Sequence, residues 1–240
     1  MEPTGIIFAA LDCDTDAIED WNRWYDLEHT PMNVSIDGVL LSRRYVAPPD
    51  LHRARLAPEG SPFAGGRAAF LTTYVLGGNP QVAFDAMSEK LPGLYDAGRM
   101  TFPAEKKAVR EGDVFVATGA VGDPDRLLEP IDVPFVGHTG VVVVQRRGEP
   151  DAYRERAEAL VGVDGVHGVW SLESRNRPGL GLDLVFVEGD PAERASWLRE
   201  AVPHPAGGEV VLDAPYELID PLRYPWAEGM RASDLPRTVA

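Results

Sequence analysis

The chain has 240 residues, enough for one large domain or two of about 110–120 residues each. Its composition, 44% hydrophobic and 25% charged, is ordinary for a globular protein, and no apolar run nears the roughly 20 residues of a membrane helix. A net charge of -15, spread along the chain, repels phosphate backbones and anionic lipid heads, so neither nucleic acid nor membrane is an expected partner.

The start, Met1-Glu2-Pro3-Thr4, lacks the basic and apolar stretches of a signal peptide, so a cytoplasmic location is the expectation. The single Cys13 rules out an internal disulfide framework and a cysteine-based zinc site.

In chain order, the first half reads as strand 5–11, helix 15–29, strand 38–47, strand 68–76, helix 80–90 and strand 113–121. The second half reads as strand 138–146, helix 150–161, strand 166–175, strand 182–188, helix 191–201 and strand 209–218. Three echoes relate the halves. Asp37-Gly38-Val39 and Asp164-Gly165-Val166 each precede a strand-like run. Gly78-Asn79-Pro80 and Gly189-Asp190-Pro191 each end a strand, supply an N-cap and put proline at the first helical position. Val114-Phe115-Val116 through Asp123-Pro124 matches Val210-Val211-Leu212 through Asp220-Pro221.

Each half is therefore β-α-β-β-α-β, the ferredoxin-like pattern, and the fold class is α+β. Helices cover only one face of such a sheet. Continuous apolar runs such as Val141 to Val144 require cover on both. The two sheets are expected to pack face to face, with a space between them. The expected units are 1–124, with an insertion at 48–67, then 125–220, and a tail 221–240 whose Tyr224 and Trp226 dock on this chain or on a neighbour. The proline-rich insertion is either a lid or a neutral surface excursion.

The chemistry concentrates at the end of helix 15–29. On a regular helical wheel Trp21, Trp24 and Tyr25 share one face with Ala17 and Ile18, and Glu28 falls in the middle of that face. Asn22, Arg23 and Asp26 fall on the opposite side, and His29 lies at the edge. A carboxylate aimed among buried aromatics must find a partner or take up a proton, unless the apolar face has ended by position 28. Thr30-Pro31 is expected to stop the helix, which puts His29 in the last turn. There exposed carbonyls favour imidazolium, and the residue reads as a proton-transfer group or as a C-terminal cap.

Strand alternation sends Arg43 and Arg44 to opposite faces. One could pair with Glu28 or hold an anionic ligand group, or it could lie in solvent. Tyr45 shares the face of Arg43, as a hydroxyl donor or as core. His138 and His167 lack metal-ligand spacing, and Cys13 reads as a buried, inert thiol. No metal site is expected. Phosphate-loop, dinucleotide, nucleophile-elbow and HExxH motifs are absent.

The run Trp24-Tyr25-Asp26-Leu27-Glu28-His29, then Pro31, Gly38 and Arg43-Arg44-Tyr45, resembles the EthD-like branch of the dimeric α/β-barrel superfamily. Asp37-Gly38 replaces that branch's usual Pro-Gly. The resemblance covers residues 21–47 and implies two ferredoxin-like sheets forming a barrel, here within one chain, with a ligand cavity on a sheet face. The superfamily holds cofactor-free monooxygenases, cyclases, isomerases, dehydratases and haem proteins, so fold alone does not select the chemistry.

The leading expectation is a cofactor-independent enzyme acting on a small, apolar, oxygenated molecule by proton transfer: isomerisation, cyclisation or a dehydratase-type lyase step. Glu28 or His29 would be the acid or base, and Arg43 or Arg44 would hold a carboxylate or enolate. Trp21, Trp24, Tyr25 and Tyr45 would bind substrate, and the loop 48–67 would exclude water. The alternatives are a haem-dependent enzyme, with His29, His138 or His167 as axial ligand, and a non-catalytic binding protein. A homodimer is the expected assembly.

Overall fold

A computed structural model describes residues 1–233; the last seven positions of the expected tail lie outside the described residues. The first half comprises β1 (Pro3–Cys13), α1 (Ile18–Trp24), α2 (Thr30–Val34), β2 (Val39–Val46), α3 (Pro49–Arg53), β3 (Phe70–Gly77), α4 (Pro80–Asp96) and β4 (Lys107–Gly122). The second comprises β5 (Gly140–Arg147), α5 (Pro150–Leu160), β6 (Val166–Ser174), β7 (Gly181–Val187), α6 (Pro191–Ala201) and β8 (Glu209–Leu218). Helix α7 (Ala227–Ala232) follows.

The strands close into one barrel in the order β1-β3-β2-β8-β5-β7-β6-β4, antiparallel throughout. Each half contributes a ferredoxin-like sheet. The two sheets join along β4 and β6, from Phe115 opposite Ser174 to Gly122 opposite Gly168. The other seam is short, with only Tyr45 opposite Leu218 and Val46 opposite Glu217. Closure removes the free edges that a lone sheet would expose.

The echoes have local causes. Asn79 Oδ1 accepts from Gln81 N at 3.0 Å, and Asp190 Oδ1 from Ala192 N at 2.7 Å, which caps α4 and α6. Gly38 and Gly165 both adopt positive φ, 89° and 80°, in the turns that enter β2 and β6. The third echo is weaker: Asp123 accepts from Asp125 N and starts only a short 3₁₀ turn at Pro124–Arg126.

The expected space between the sheets is filled. Val141 and Val143 point inward with Phe8, Tyr45, Phe115, Trp170, Phe186 and Tyr216, all buried in one apolar cluster. Val142 and Val144 face α5 and α6 in a second cluster. The segment 48–67 contributes to the barrel core and does not cover the first helix. Leu51 and Phe63 enter the interior cluster, and Arg55 donates to the carbonyls of Phe63, Arg67 and Ala68. This segment closes one end of the barrel.

Candidate functional site

The first helix does not stop at Thr30-Pro31. It passes through a π turn, Tyr25–His29, in which Thr30 N bonds to Tyr25 O, and continues as α2 to Val34. Pro31 has no N–H to give and its ring crowds the preceding carbonyls; a widened turn relieves both. The buried side of the helix is wider than a regular wheel assigns: Asn22, ahead of the widened turn, and Asp26, one turn later, both face Arg44.

Trp21, Trp24 and Tyr25 are buried in the layer between this helix and the sheet, with Phe102 against both indoles. Asp26 is buried with them: its side chain is 6% exposed and its Oδ1 accepts from Arg44 Nη1 at 3.0 Å. Arg44 points from β2 into this layer, lies 4.1 Å from the centre of the Tyr25 ring and donates through Nη2 to Asn22 Oδ1 at 2.5 Å. Desolvation lowers the Arg44 pKa, and Tyr25 and Asp26 oppose that shift. Asp26 Oδ2 ties the chain's end to the site, accepting from Leu222 N at 2.8 Å and Tyr224 Oη at 2.5 Å.

Glu28 lies elsewhere. It is half-buried, accepts from Thr101 Oγ1 at 3.3 Å and lines a groove of about 400 Å³ with Asp16, Asp20, Trp24, Phe102 and Lys106. It shares Trp24 with the aromatic layer but does not pair with Arg44, as a regular wheel would allow.

His29 stacks on Trp24, with ring centres 4.5 Å apart, and meets the Tyr25 ring edge-on at 4.7 Å. Burial, with Lys107 and Arg44 nearby, pulls its pKa down to about 4. The ring is therefore neutral near pH 7, the reverse of the imidazolium expected at a helix terminus. The Asn33 amide nitrogen donates to Tyr74 Oη at 3.0 Å and lies 3.2 Å from His29 Nε2. If that nitrogen also donates to Nε2, the imidazole proton is on Nδ1, which has no partner.

Arg43 and Tyr45 do not reach this layer. Tyr45 is buried in the barrel interior, its hydroxyl 3.0 Å from His138 Nε2. Arg43 Nη2 donates to the carbonyls of Phe135 and Val136 at 3.0 and 3.1 Å. Through these contacts the two residues hold the segment before β5, apart from the layer around Trp24. His138 is held neutral, its pKa pulled to about 4 by burial and by Arg43. His167 Nε2 lies 3.3 Å from Glu188 Oε2. Burial pushes the Cys13 thiol pKa up, as suits an inert residue. Among the described residues no group of three or more His, Cys, Asp or Glu could hold a metal.

The layer thus brings together Trp21, Trp24, Tyr25, His29 and Arg44 and adds Asn22, Asp26, Asn33, Tyr74 and Lys107, which a regular wheel and strand alternation miss. Lys107 Nζ lies 4.9 Å from the Trp24 ring centre, 5.8 Å from that of Trp21, and burial lowers its pKa. Several polar atoms here are buried without a partner: Nε1 of Trp21, Nε1 of Trp24, Nδ1 of His29, Oγ1 of Thr30 and Nε of Arg44. Buried polar atoms are otherwise satisfied in native folds, and each orphan costs roughly 1–3 kcal/mol.

No family model matches the chain, and no curated protein matches it. Solved structures do. One described as "Putative Chlorite dismutase" matches at TM-score 0.58 and 10% identity, covering 95% of this chain and 99% of that one. A dye-decolorizing peroxidase from Bacteroides thetaiotaomicron matches at TM-score 0.55 and 9% identity, covering 95% and 96%. At these identities the likeness concerns the fold alone: the chain has the dimeric α/β-barrel fold, built from two ferredoxin-like halves of one polypeptide.

Proposed function

We propose that the chain belongs to the EthD-like branch and binds a small, oxygen-rich organic molecule in the first-half helix–sheet layer. The observation that carries this reading is the set of orphaned buried atoms around Trp24. Two are indole N–H groups and one is a guanidinium N–H, all obligate donors. Their complement is an acceptor, a carboxylate, carbonyl or enolate oxygen, and an aromatic wall suits an apolar body.

Buried donors without acceptors suit a reaction that develops negative charge on oxygen, such as enolisation. In that chemistry His29 acts as a neutral donor through Nδ1–H, and the buried Arg44 guanidinium fixes the field. Glu28, which lines the adjoining groove beside Trp24, is the carboxylate assigned to accept the proton from carbon. The repeat units remain as proposed, 1–124 and 125–220 with a C-terminal segment beyond, and a homodimer belongs to the same proposal.

A second reading is haem-dependent. The two fold neighbours with TM-scores of 0.58 and 0.55 support it better than they support a cofactor-free lyase. The superfamily resemblance also includes haem proteins. Neutral His29 with a free Nδ1 has part of the chemistry of an axial ligand. Space for a macrocycle is lacking: the ring is stacked on Trp24, with Tyr25 at its edge. Four surface cavities of 240–650 Å³ are lined by described residues, and no histidine lines any of them. The residues as placed do not fit haem.

One titration separates the readings. After haem is added and the unbound excess removed, the purified chain carries no Soret band under the first reading, and a saturable band lost in His29→Ala under the second. Turnover of a keto or hydroxy acid abolished in Glu28→Gln supports the enolisation chemistry. Full activity in folded Glu28→Gln and His29→Ala overturns it.

A further inference from the structure

The second half holds a buried polar cluster that the first-half site does not use. Arg146 and Asp183 form a two-bond ion pair, at 2.6 and 2.9 Å. Asp213, 1% exposed, accepts from Arg199 Nη2 at 2.6 Å and lies 2.7 Å from His204 Nε2. Both carboxylates are thereby taken. Arg156 remains: it is 6% exposed, has no carboxylate within 4 Å among the described residues, and donates through Nε to Val202 O at 3.2 Å. Its Nη1 is buried without a partner.

Three residues before it on α5, and so on the same face, is Tyr153. Tyr153 is 1% exposed, its ring carries the Arg146 guanidinium at 4.2 Å, and its hydroxyl is also buried without a partner. Both side chains meet the segment 202–208. A Cβ on Gly208 would come within 2.3 Å of the Tyr153 hydroxyl, so glycine is needed there for the phenol to enter. The cluster therefore holds three guanidinium groups, those of Arg146 and Arg156 buried and that of Arg199 partly so, against two carboxylates, with a histidine in addition; Tyr153 Oη, Arg156 Nη1, Arg199 Nε and His204 Nδ1 are buried without partners. A buried guanidinium with no carboxylate is expensive to hold unless an anion joins it.

We propose that Arg156 and Tyr153, with the 202–208 segment, form a second binding site, for a small oxyanion (a carboxylate or phosphate group), distinct from the layer around Trp24. The site is complete only with the anion bound, which bridges α5 to the segment after α6 and locks the end of the second half. It is independent of the proposed first-half chemistry.

The test is thermal unfolding of the full chain against increasing inorganic phosphate and, separately, acetate, at ionic strength fixed with chloride. A saturable rise in Tm, roughly 3–6 °C at ten times Kd for a chain of this size, is expected with at least one of the two. Tyr153→Phe keeps the ring packing and weakens the response at least several-fold, Arg156→Met abolishes it, and Arg53→Lys, in an exposed pair outside both sites, leaves it unchanged. If Arg156→Met does not fold, Tyr153→Phe alone decides. Equal responses in the wild type and Tyr153→Phe, no response of the wild type to either anion, or an equal response to chloride overturns the site.

Discussion

Asp26→Asn probes the least expected contact of the first-half layer. The substitution keeps shape and removes the charge that Arg44 faces at 3.0 Å, both side chains being 6% exposed. Arg44 would retain Asn22 Oδ1 at 2.5 Å and Asn22 O at 3.4 Å, but no anion. Breaking one side of a buried pair costs about 3–5 kcal/mol, against roughly 0–1 kcal/mol for an exposed pair. At roughly 2–4 °C per kcal/mol for this chain length, the Tm falls by about 6–20 °C. Urea unfolding followed by tryptophan fluorescence supplies the free energy, and Asp50→Asn, from an exposed pair with Arg53, is the control expected within about 0.5 kcal/mol. Adding Arg44→Met to Asp26→Asn should recover part of the loss, because the stranded charge is gone. A loss under about 1 kcal/mol in Asp26→Asn, equal to the control, would refute the buried-pair argument.

Acid titration gives a second test. His29 and His138 have folded pKa values pulled to about 4, below the unfolded value near 6.5. Between those values the unfolded chain binds more protons, so the stability these groups supply is complete above pH 6.5 and drains away as pH falls towards 4. The loss is about 2–3 kcal/mol for His29, and His29→Phe should flatten its share; a wild-type stability unchanged from pH 7 to pH 4.5 contradicts the burial argument. Phe63→Ala tests the plug: Phe63 is 1% exposed in the barrel interior, so a loss of about 3–5 kcal/mol is expected. A surface excursion would lose under about 1 kcal/mol on the same change.

The elements that are legible in the sequence have local causes. Asn79-Pro80 and Asp190-Pro191 are caps wherever they occur before a helix, and Gly38 and Gly165 mark turns that need positive φ. The run Val141 to Val144 demands cover on both faces, and it has cover on both. What stays hidden depends on distant partners. Asn22 and Asp26 lie one turn apart on the side of the helix that a wheel marks polar, and only Arg44, arriving from β2, makes that side a buried one. The continuation of the helix past Thr30 had a signal of its own: Pro31 is followed by Met32, Asn33 and Val34, a run able to stay helical once the proline is absorbed. The filled barrel and the plug by Leu51 and Phe63 arise from contacts between residues far apart in sequence, which periodicity does not encode.

The most direct test of the acceptor-seeking layer is the indole N–H region of the ¹⁵N-labelled protein, with peaks assigned by Trp21→Phe and Trp24→Phe and titrated with small keto and hydroxy acids. The account predicts that the Trp21 and Trp24 peaks move together and saturably with at least one such acid, while those of Trp170, Trp197 and Trp226 stay fixed. Indole peaks that stay put with every acceptor, or that all five move alike, would contradict it.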